Sequence, residues 1–378
     1  MDYDVLKVIW WVLIGVLLVG FAITDGFDMG VGSLINVITR DDSERRVMIN
    51  SMAPHWDGNQ VWFITAGGAL FAAWPVVYAT SFSGFYLAMI LTLAAMWFRP
   101  IGFDYRSKID SPRWKRNWDL CIGFGSIVPP VIFGVAFGNI LQGVPFQFDE
   151  YLRVDYTGSF FALLNPFAIL CGLVSLMMVV TQGGAWLQMK TEGDLHRRVR
   201  NATTITAILG SVLFVLAGVW LAYGIQGYVI TSAIDGNQVL TPLMKTVEMQ
   251  PGAWLANYNK VPLLMLAPVI GVLGMLIAAF ASRINKGGLA FLGSSLGIAG
   301  IIVTAGGSMF PFLMPSSTFP SMSLTMWDAT SSQHTLQIML IAACIFVPII
   351  LCYTAWCYYV MFGRISKEHI EKNAHSLY

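Results

Sequence analysis

Nine long apolar runs constrain this chain more than any other feature. They fall near residues 8 to 34, 50 to 73, 77 to 103, 118 to 142, 159 to 187, 203 to 227, 259 to 282, 288 to 313 and 335 to 361. A bilayer core about 30 Å thick is crossed by about 20 mostly apolar residues in a helix that satisfies its own backbone hydrogen bonds, and each run is long enough. The chain therefore reads as an all-α polytopic membrane protein with about nine transmembrane helices, forming a single transmembrane domain over residues 1–378. Only 11% of its residues are charged, against roughly 25% in an average soluble domain, which agrees with burial in lipid. Asp2 and Asp4 precede the first apolar run and no small-residue cleavage site follows it. The first segment is thus expected to stay in the membrane instead of leaving as a signal peptide.

Basic residues then orient the spans, because cytoplasmic loops collect Lys and Arg. With nine spans, residues 36–49, 99–118, 190–200, 283–286 and 364–372 lie on one side, and they hold all but four of the 22 basic residues: Lys7, Arg153, Lys245 and Lys260 fall on the other. The segregation predicts an odd number of helices, with the N-terminus outside and the C-terminus in the cytoplasm. The polar excursion at 228–258 contains Trp254 and Leu255 and reads as an ordered outer loop. A net charge of +1 gives no field that would draw nucleic acid.

Chemistry in such a chain has few places to reside. Cys121, Cys171, Cys344, Cys352 and Cys357 sit in apolar stretches without metal-ligand spacing, and read as buried apolar residues. Nothing matches a phosphate loop, a dinucleotide fingerprint, a zinc motif or a nucleophile elbow. Gly134 with Gly138, and Gly293 with Gly297, form GxxxG pairs that allow close helix approach, a weak signal among 36 glycines.

The exception is "SMAPHWDGNQVW", residues 51–62, which puts His55, Trp56, Asp57, Asn59 and Gln60 into the second span. At 1.5 Å per residue from the cytoplasmic side, Asp57 lies roughly 10 Å into the bilayer. A carboxylate there is costly, must face protein or water, and by default marks an ion or proton path. The competing reading is a structural hydrogen-bonding cluster in a re-entrant or interfacial segment capped by Pro54; uncharged groups would serve that role at lower cost. Asp25 and Asp28, in "TDGFDMG", share a helical face. They read equally as a proton-holding pair or as the point where the first helix leaves the membrane, loosened by Gly26 and Gly30. In "FRPIGFDYRSK", Arg99, Arg106 and Lys108 fit snorkelling at the inner interface. Asp104, an acid among those bases, lies below Asp57 if spans two and three form a hairpin around "AAWPVVY", which makes a chain from Lys108 through Asp104 to Asp57 plausible.

Haem needs axial ligands such as His or Met. Only His55 and His334 lie in or near the membrane, at opposite ends of their spans, so a self-sufficient haem carrier is disfavoured. Methionines in apolar helices are more often packing than ligands.

Read together, "GFAITDGFDMGVG", "INSMAPHWDGNQVWFITAGGALFAAWPVVYA", "FSGFYLAMI", "FRPIGFDYRSK", "GVAFGNILQGVPF", "FPFLMPSSTFPSMSLTMWDATSSQHTL" and "AHSLY" resemble subunit II of the cytochrome bd ubiquinol oxidases over the whole chain, nearer the bd-I than the bd-II form. The resemblance implies two four-helix bundles plus one peripheral helix. It implies a subunit of a bacterial inner-membrane complex in the aerobic respiratory chain, oxidising ubiquinol or menaquinol and reducing dioxygen to water. Two haems b and one haem d are expected on the partner, subunit I, with small single-helix accessory subunits alongside. For this chain it implies a scaffold, a structural ubiquinone, and a cytoplasmic proton route through Asp57, Asp104, Lys108 and Tyr378, supported by His55, Trp56, Asn59, Gln60, Asp25, Asp28 and Arg99. The alternative is a proton- or cation-coupled secondary transporter using Asp25, Asp28 and Asp57. It is disfavoured because no matching pair of broken helices appears in the two halves.

Overall fold

The computed structural model describes residues 1–366, 368, 370 and 378. Eleven α-helices dominate it: α1 (Tyr3–Ile38), α2 (Asp42–Ala73), α3 (Pro75–Gly84), α4 (Tyr86–Tyr105), α5 (Pro112–Gln142), α6 (Pro166–Lys190), α7 (Gly193–Gly224), α8 (Ala256–Lys260), α9 (Leu266–Arg283), α10 (Gly287–Met309) and α11 (Gln333–Val360). Among the described residues, eight helices are long and apolar enough to cross a membrane, with α9 extended back to Pro262. A ninth span is counted if α2 and α3 are taken together, although they bend by 118°.

That bend corrects the expected third span. Residues 75–84 form a separate short helix, and the straight span begins at Tyr86. The "AAWPVVY" stretch is therefore a helix break, and the short α3 stands between the two long helices α2 and α4. Its cause is local: Pro75 disfavours helical backbone at the residue before it, and Trp74 is fully buried with non-helical dihedrals (φ −131°, ψ 71°). Two carbonyls at the end of α2 are taken up by the loop before α11, Ala72 O by Ser331 Oγ and Ala73 O by Ser331 N at 2.9 Å.

The helices sort into two groups of four. α1, α2, α4 and α5 pack around one core, α6, α7, α9 and α10 around the other, and α6 joins the groups by packing on α5 and α1. α11 touches mainly α1 and α2, and its most apolar stretch is entirely unburied within this chain. Two four-helix bundles plus a peripheral helix is thus the observed arrangement. The GxxxG pairs sit at helix crossings: a Cβ on Gly134 or Gly138 would strike Cys171, Gly172 or Ala168 of α6, and one on Gly293 or Gly297 would strike α9. Close backbone approach of this kind is how apolar helices associate where lipid is as apolar as the interface.

Caps fix the helix ends. Asp41 accepts from Glu44 N at 2.8 Å, Asn165 from Ala168 N at 2.9 Å, and Ser332 from Thr335 N at 3.2 Å. At the end of the bundle that lacks most basic residues, three two-stranded antiparallel ribbons form a cap: β1 (Phe146–Phe148) with β2 (Val154–Tyr156), β3 (Gln226–Ile230) with β4 (Val247–Pro251), and β5 (Phe312–Met314) with β6 (Leu324–Thr325). The 228–258 excursion is ordered as expected, with Trp254 2% exposed and its indole donating to Leu141 O. The cysteines are not fully buried as expected: Cys121, Cys171 and Cys357 are half-buried, and Cys344 and Cys352 are exposed on α11.

Candidate functional site

The polar cluster of α2 does not act as one unit. Successive residues on a helix are rotated by about 100°, so positions four apart share a face and neighbours do not. His55 and Asn59 point into the bundle, Trp56 and Gln60 flank them, and Asp57 points outward, exposed on the surface of this chain. Asp57 thus lies on the opposite side of α2 from His55 and Asn59. Its neighbours along the same stripe, Val61, Ile64, Gly68 and Phe71, are also exposed, with Ile64 at 69%. Spacings of four, three, four and three residues are those of a seam that meets another helix.

On the inner face, Asp25 and Asp28 of α1 are fully buried, as is Arg99 of α4. Arg99 grips Asp25 through both terminal nitrogens, at 2.9 and 3.0 Å. Snorkelling, the sequence-based reading of Arg99, is overturned: its guanidinium is consumed by a bidentate pair inside the bundle. Around the two carboxylates α1 continues unbroken to Ile38, and Gly30 is in tight contact with α6, not loosened. Asp28 accepts from Asn59 Nδ2 at 2.8 Å, and Asn59 Oδ1 accepts from the Tyr358 hydroxyl at 2.5 Å. The Tyr358 ring stacks on His55, with centroids 4.5 Å apart and an interplanar angle of 4°.

A second network closes the basic end of the bundle. Arg106, 1% exposed, bonds Asp119 at 2.5 and 3.2 Å and Asp42 at 2.6 Å; Lys115 reaches Asp42 and Asp110, and Arg45 approaches Asp119 at 3.6 Å. Arg198 of α7 bonds Ile38 O and Glu44, tying the two bundles across the α1–α2 turn. Arg46 and Asn50 bond the backbone oxygen of Tyr378, whose ring lies 6.3 Å from Phe103. Arg106, like Arg99, is not a snorkelling residue.

Asp104 and Lys108 stand apart from this network. Both are exposed, and among the described residues they form no ion pair with each other or with Asp57. The direct chain from Lys108 through Asp104 to Asp57 is therefore absent as a set of contacts. Asp104 does continue an exposed stripe of α4, after Ile90, Leu93, Trp97 and Ile101. Phe103, next to it, meets Tyr378 beside Asn50, and Asn50 precedes Asp57 by seven residues, nearly two turns or about 10 Å on the same side of α2. Asp104 and Asp57 are thus two carboxylates at different depths, each on an otherwise apolar exposed stripe.

Sequence reasoning missed Asp119, Asp42 and Tyr358, and read Arg106 as snorkelling. Asp119 carried the same signal as Asp57, a carboxylate in an apolar span. Tyr358 carried none, because an aromatic near the end of a membrane helix ordinarily marks the interface.

Among the described residues, His55 and His334 do not come together as a haem ligand pair. His55 is enclosed by the rings of Phe27, Trp186 and Tyr358. His334 sits at the start of α11 and Tyr358 near its end, about 36 Å away at the helical rise. Two clefts at the ribbon-capped end, of about 160 and 230 Å³, are lined by residues including Tyr156, Phe160 and Thr80. Both are smaller than the roughly 300 Å³ at which ligand pockets usually begin.

This architecture is shared with known proteins. Residues 6–361 match the family model for cytochrome bd terminal oxidase subunit II. The chain belongs to that family. The subunit II of Escherichia coli K12 described as cytochrome bd-I ubiquinol oxidase subunit 2 is 61% identical over 377 residues, covering 100% of both chains. A probable cytochrome oxidase subunit 2 of Haemophilus influenzae is 56% identical with the same coverage. A chain of the bd oxidase from Geobacillus thermodenitrificans has the same fold, with a TM-score of 0.66 at 16% identity, covering 95% of this chain and 99% of that one. As a subunit II of the bd type, this protein is a component of a haem-containing, multi-subunit quinol oxidase of bacterial respiratory electron transport, and the similarity supports the bd-I form. A secondary transporter is not favoured.

Proposed function

We propose that this chain, working as one transmembrane domain, covers and supplies the haem-bearing subunit I. Quinol oxidation and dioxygen reduction take place on that partner, which carries two haems b and a haem d. The role of this chain is to complete the membrane scaffold and to carry protons from the cytoplasm. The carrying observation is Asp57: a carboxylate exposed on an apolar stripe some way inside a membrane protein cannot be left facing lipid. Packing of the α2 and α4 stripes against subunit I buries Asp57 at the junction of the two chains, with Asp104, Lys108 and Tyr378 at its mouth. Its supporting shell comprises His55, Trp56, Asn59, Gln60, Asp25, Asp28 and Arg99, which hold α1, α2, α4 and α11 in register behind it.

The basic end of the bundle, with the C-terminus, is cytoplasmic in this reading, and the ribbon-capped end with the N-terminus faces outward. Small single-helix subunits and a structural ubiquinone complete the assembly; the two clefts described above are too small to hold the quinone unless packing in the complex enlarges them.

The test is Asp57→Asn in the purified complex. Asn keeps volume and most hydrogen bonds but can neither take nor release a proton. Quinol-dependent oxygen uptake should fall about tenfold or more, toward the range lost with one positioned proton-transfer group, while the haem absorbance stays intact. Asp104→Asn should act in the same direction but by less than about threefold, because water can replace an exposed group. Unchanged turnover with an unchanged spectrum would sink the reading; lost haem would make Asp57 a purely structural contact.

A further inference from the structure

Asp25 and Asp28 stand one turn apart on α1 and are both fully buried, yet their surroundings differ. Asp25 takes both terminal nitrogens of Arg99, whose Nε is buried without a hydrogen-bond partner. Asp28 has one neutral donor, Asn59 Nδ2 on its Oδ2, and its Oδ1 is buried with no hydrogen-bond partner. One guanidinium balances one carboxylate, so an ionised Asp28 would leave a full negative charge in a closed, apolar site. Even after relaxation, an unpaired buried ion costs several kcal/mol. A proton on Oδ1 removes that charge without moving any atom of the cluster.

Among the described residues, the groups around the site leave no other source of compensation. From α1 and α4 come Asp25 and Arg99, already matched to each other. From α2 come His55 and Asn59, and from α11 the Tyr358 hydroxyl. The ammonium of Lys190 of α6 is held by Met361 O at 2.9 Å and lies over the Trp186 ring. Tyr358 has a defined part. By donating to Asn59 Oδ1 it turns the amide so that its N–H faces Asp28, and it does so from the helix this chain buries least.

We propose that Asp28 is an internal proton-holding site, with Asn59 and Tyr358 as its positioning residues and α11 as its closing element. The inference rests on the proton-delivery reading, and it assigns the held proton to the inner face of α2, opposite Asp57. The chemistry is a single protonation: one O–H bond forms at Asp28 Oδ1 when a proton arrives through cytoplasmic water, and the same bond breaks when it leaves. Nothing is oxidised or reduced on this chain.

Infrared difference spectroscopy of the purified complex tests it. The wild-type complex should show a C=O stretching band of a protonated carboxyl group that shifts in D₂O. The band should vanish in Asp28→Asn and move in Tyr358→Phe, which keeps the ring stacked on His55 but removes the donor that orients Asn59. An Asp28→Asn complex with normal haem absorbance and every such band retained would overturn the proposal. If Asp28→Asn does not assemble, Tyr358→Phe decides: a displaced band supports the site, and bands all unmoved overturn it. Failure of the delivery reading is separately visible, because Asp57→Asn with normal turnover would refute delivery while leaving the Asp28 band in place.

Discussion

Replacing Arg99 with Met should be among the most damaging single changes available in the first bundle, and adding Asp25→Leu should rescue much of the loss. Both side chains are 0% exposed and joined by two bonds of 2.9 and 3.0 Å. Met fills most of the space of Arg but leaves Asp25 ionised with no counter-charge in a fully buried site. Breaking a buried pair from one side costs about 3–5 kcal/mol, whereas replacing both partners with apolar groups of similar volume is often neutral or stabilising. At about 1.4 kcal/mol per decade, the single variant should lose roughly a hundredfold to a few thousandfold in its folding equilibrium. The double variant should lie within about tenfold of wild type. The assay is the fraction of complex that keeps its haem absorbance after a graded heat step in mild detergent, for wild type, both singles and the double. If Arg99→Met alone were as mild as the double, or the two losses simply added, the pair would not be the desolvated, mutually dependent unit described here.

Other consequences are as direct. Gly274→Leu in α9 should cost about 1–3 kcal/mol or more and reduce the yield of assembled complex, because its Cβ would meet the backbone of Gly293 and Gly297; Gly218→Ala on α7, where nothing lies within 4 Å, should be harmless by the same expression assay. A reporter active only in the periplasm, fused after Tyr378, should give no signal, and a strong signal would refute the inside placement of the basic end. At the ribbon-capped end, Lys245 is paired with Asp328 at 2.8 Å, and burial lowers its proton affinity below the ordinary 10.5 in spite of that pair. The unfolded chain then binds more protons between the folded value and 10.5, so this group adds stability as pH rises through that window and loses it as pH falls. The hydrogen-exchange protection factor of the 228–258 loop, corrected for the intrinsic rise of exchange with pH, should increase as pH rises toward 10.5, and Lys245→Met should flatten the dependence.

Sequence alone determined the solvent, the number of crossings to within the one bent pair, and the segregation of charge. These follow from local quantities: apolar length, the cost of a backbone polar group in lipid, and the count of Lys and Arg between spans. Sequence also named Asp57, Asp25 and Asp28, because a carboxylate in an apolar run is conspicuous wherever it points. Direction was what remained hidden. Whether Asp57 faces in or out, whether Arg99 snorkels or turns inward to Asp25, and whether Asp25 and Asp28 share one fate depend on how each helix is rotated against its neighbours. That rotation is set by the summed packing of distant segments, such as Gly30 against α6 and Gly134 against Cys171, and no window of 20 residues contains it. Tyr358 is the clearest case: 299 residues separate it from Asn59, and only the return of α11 to the side of α2 brings its hydroxyl to the buried amide.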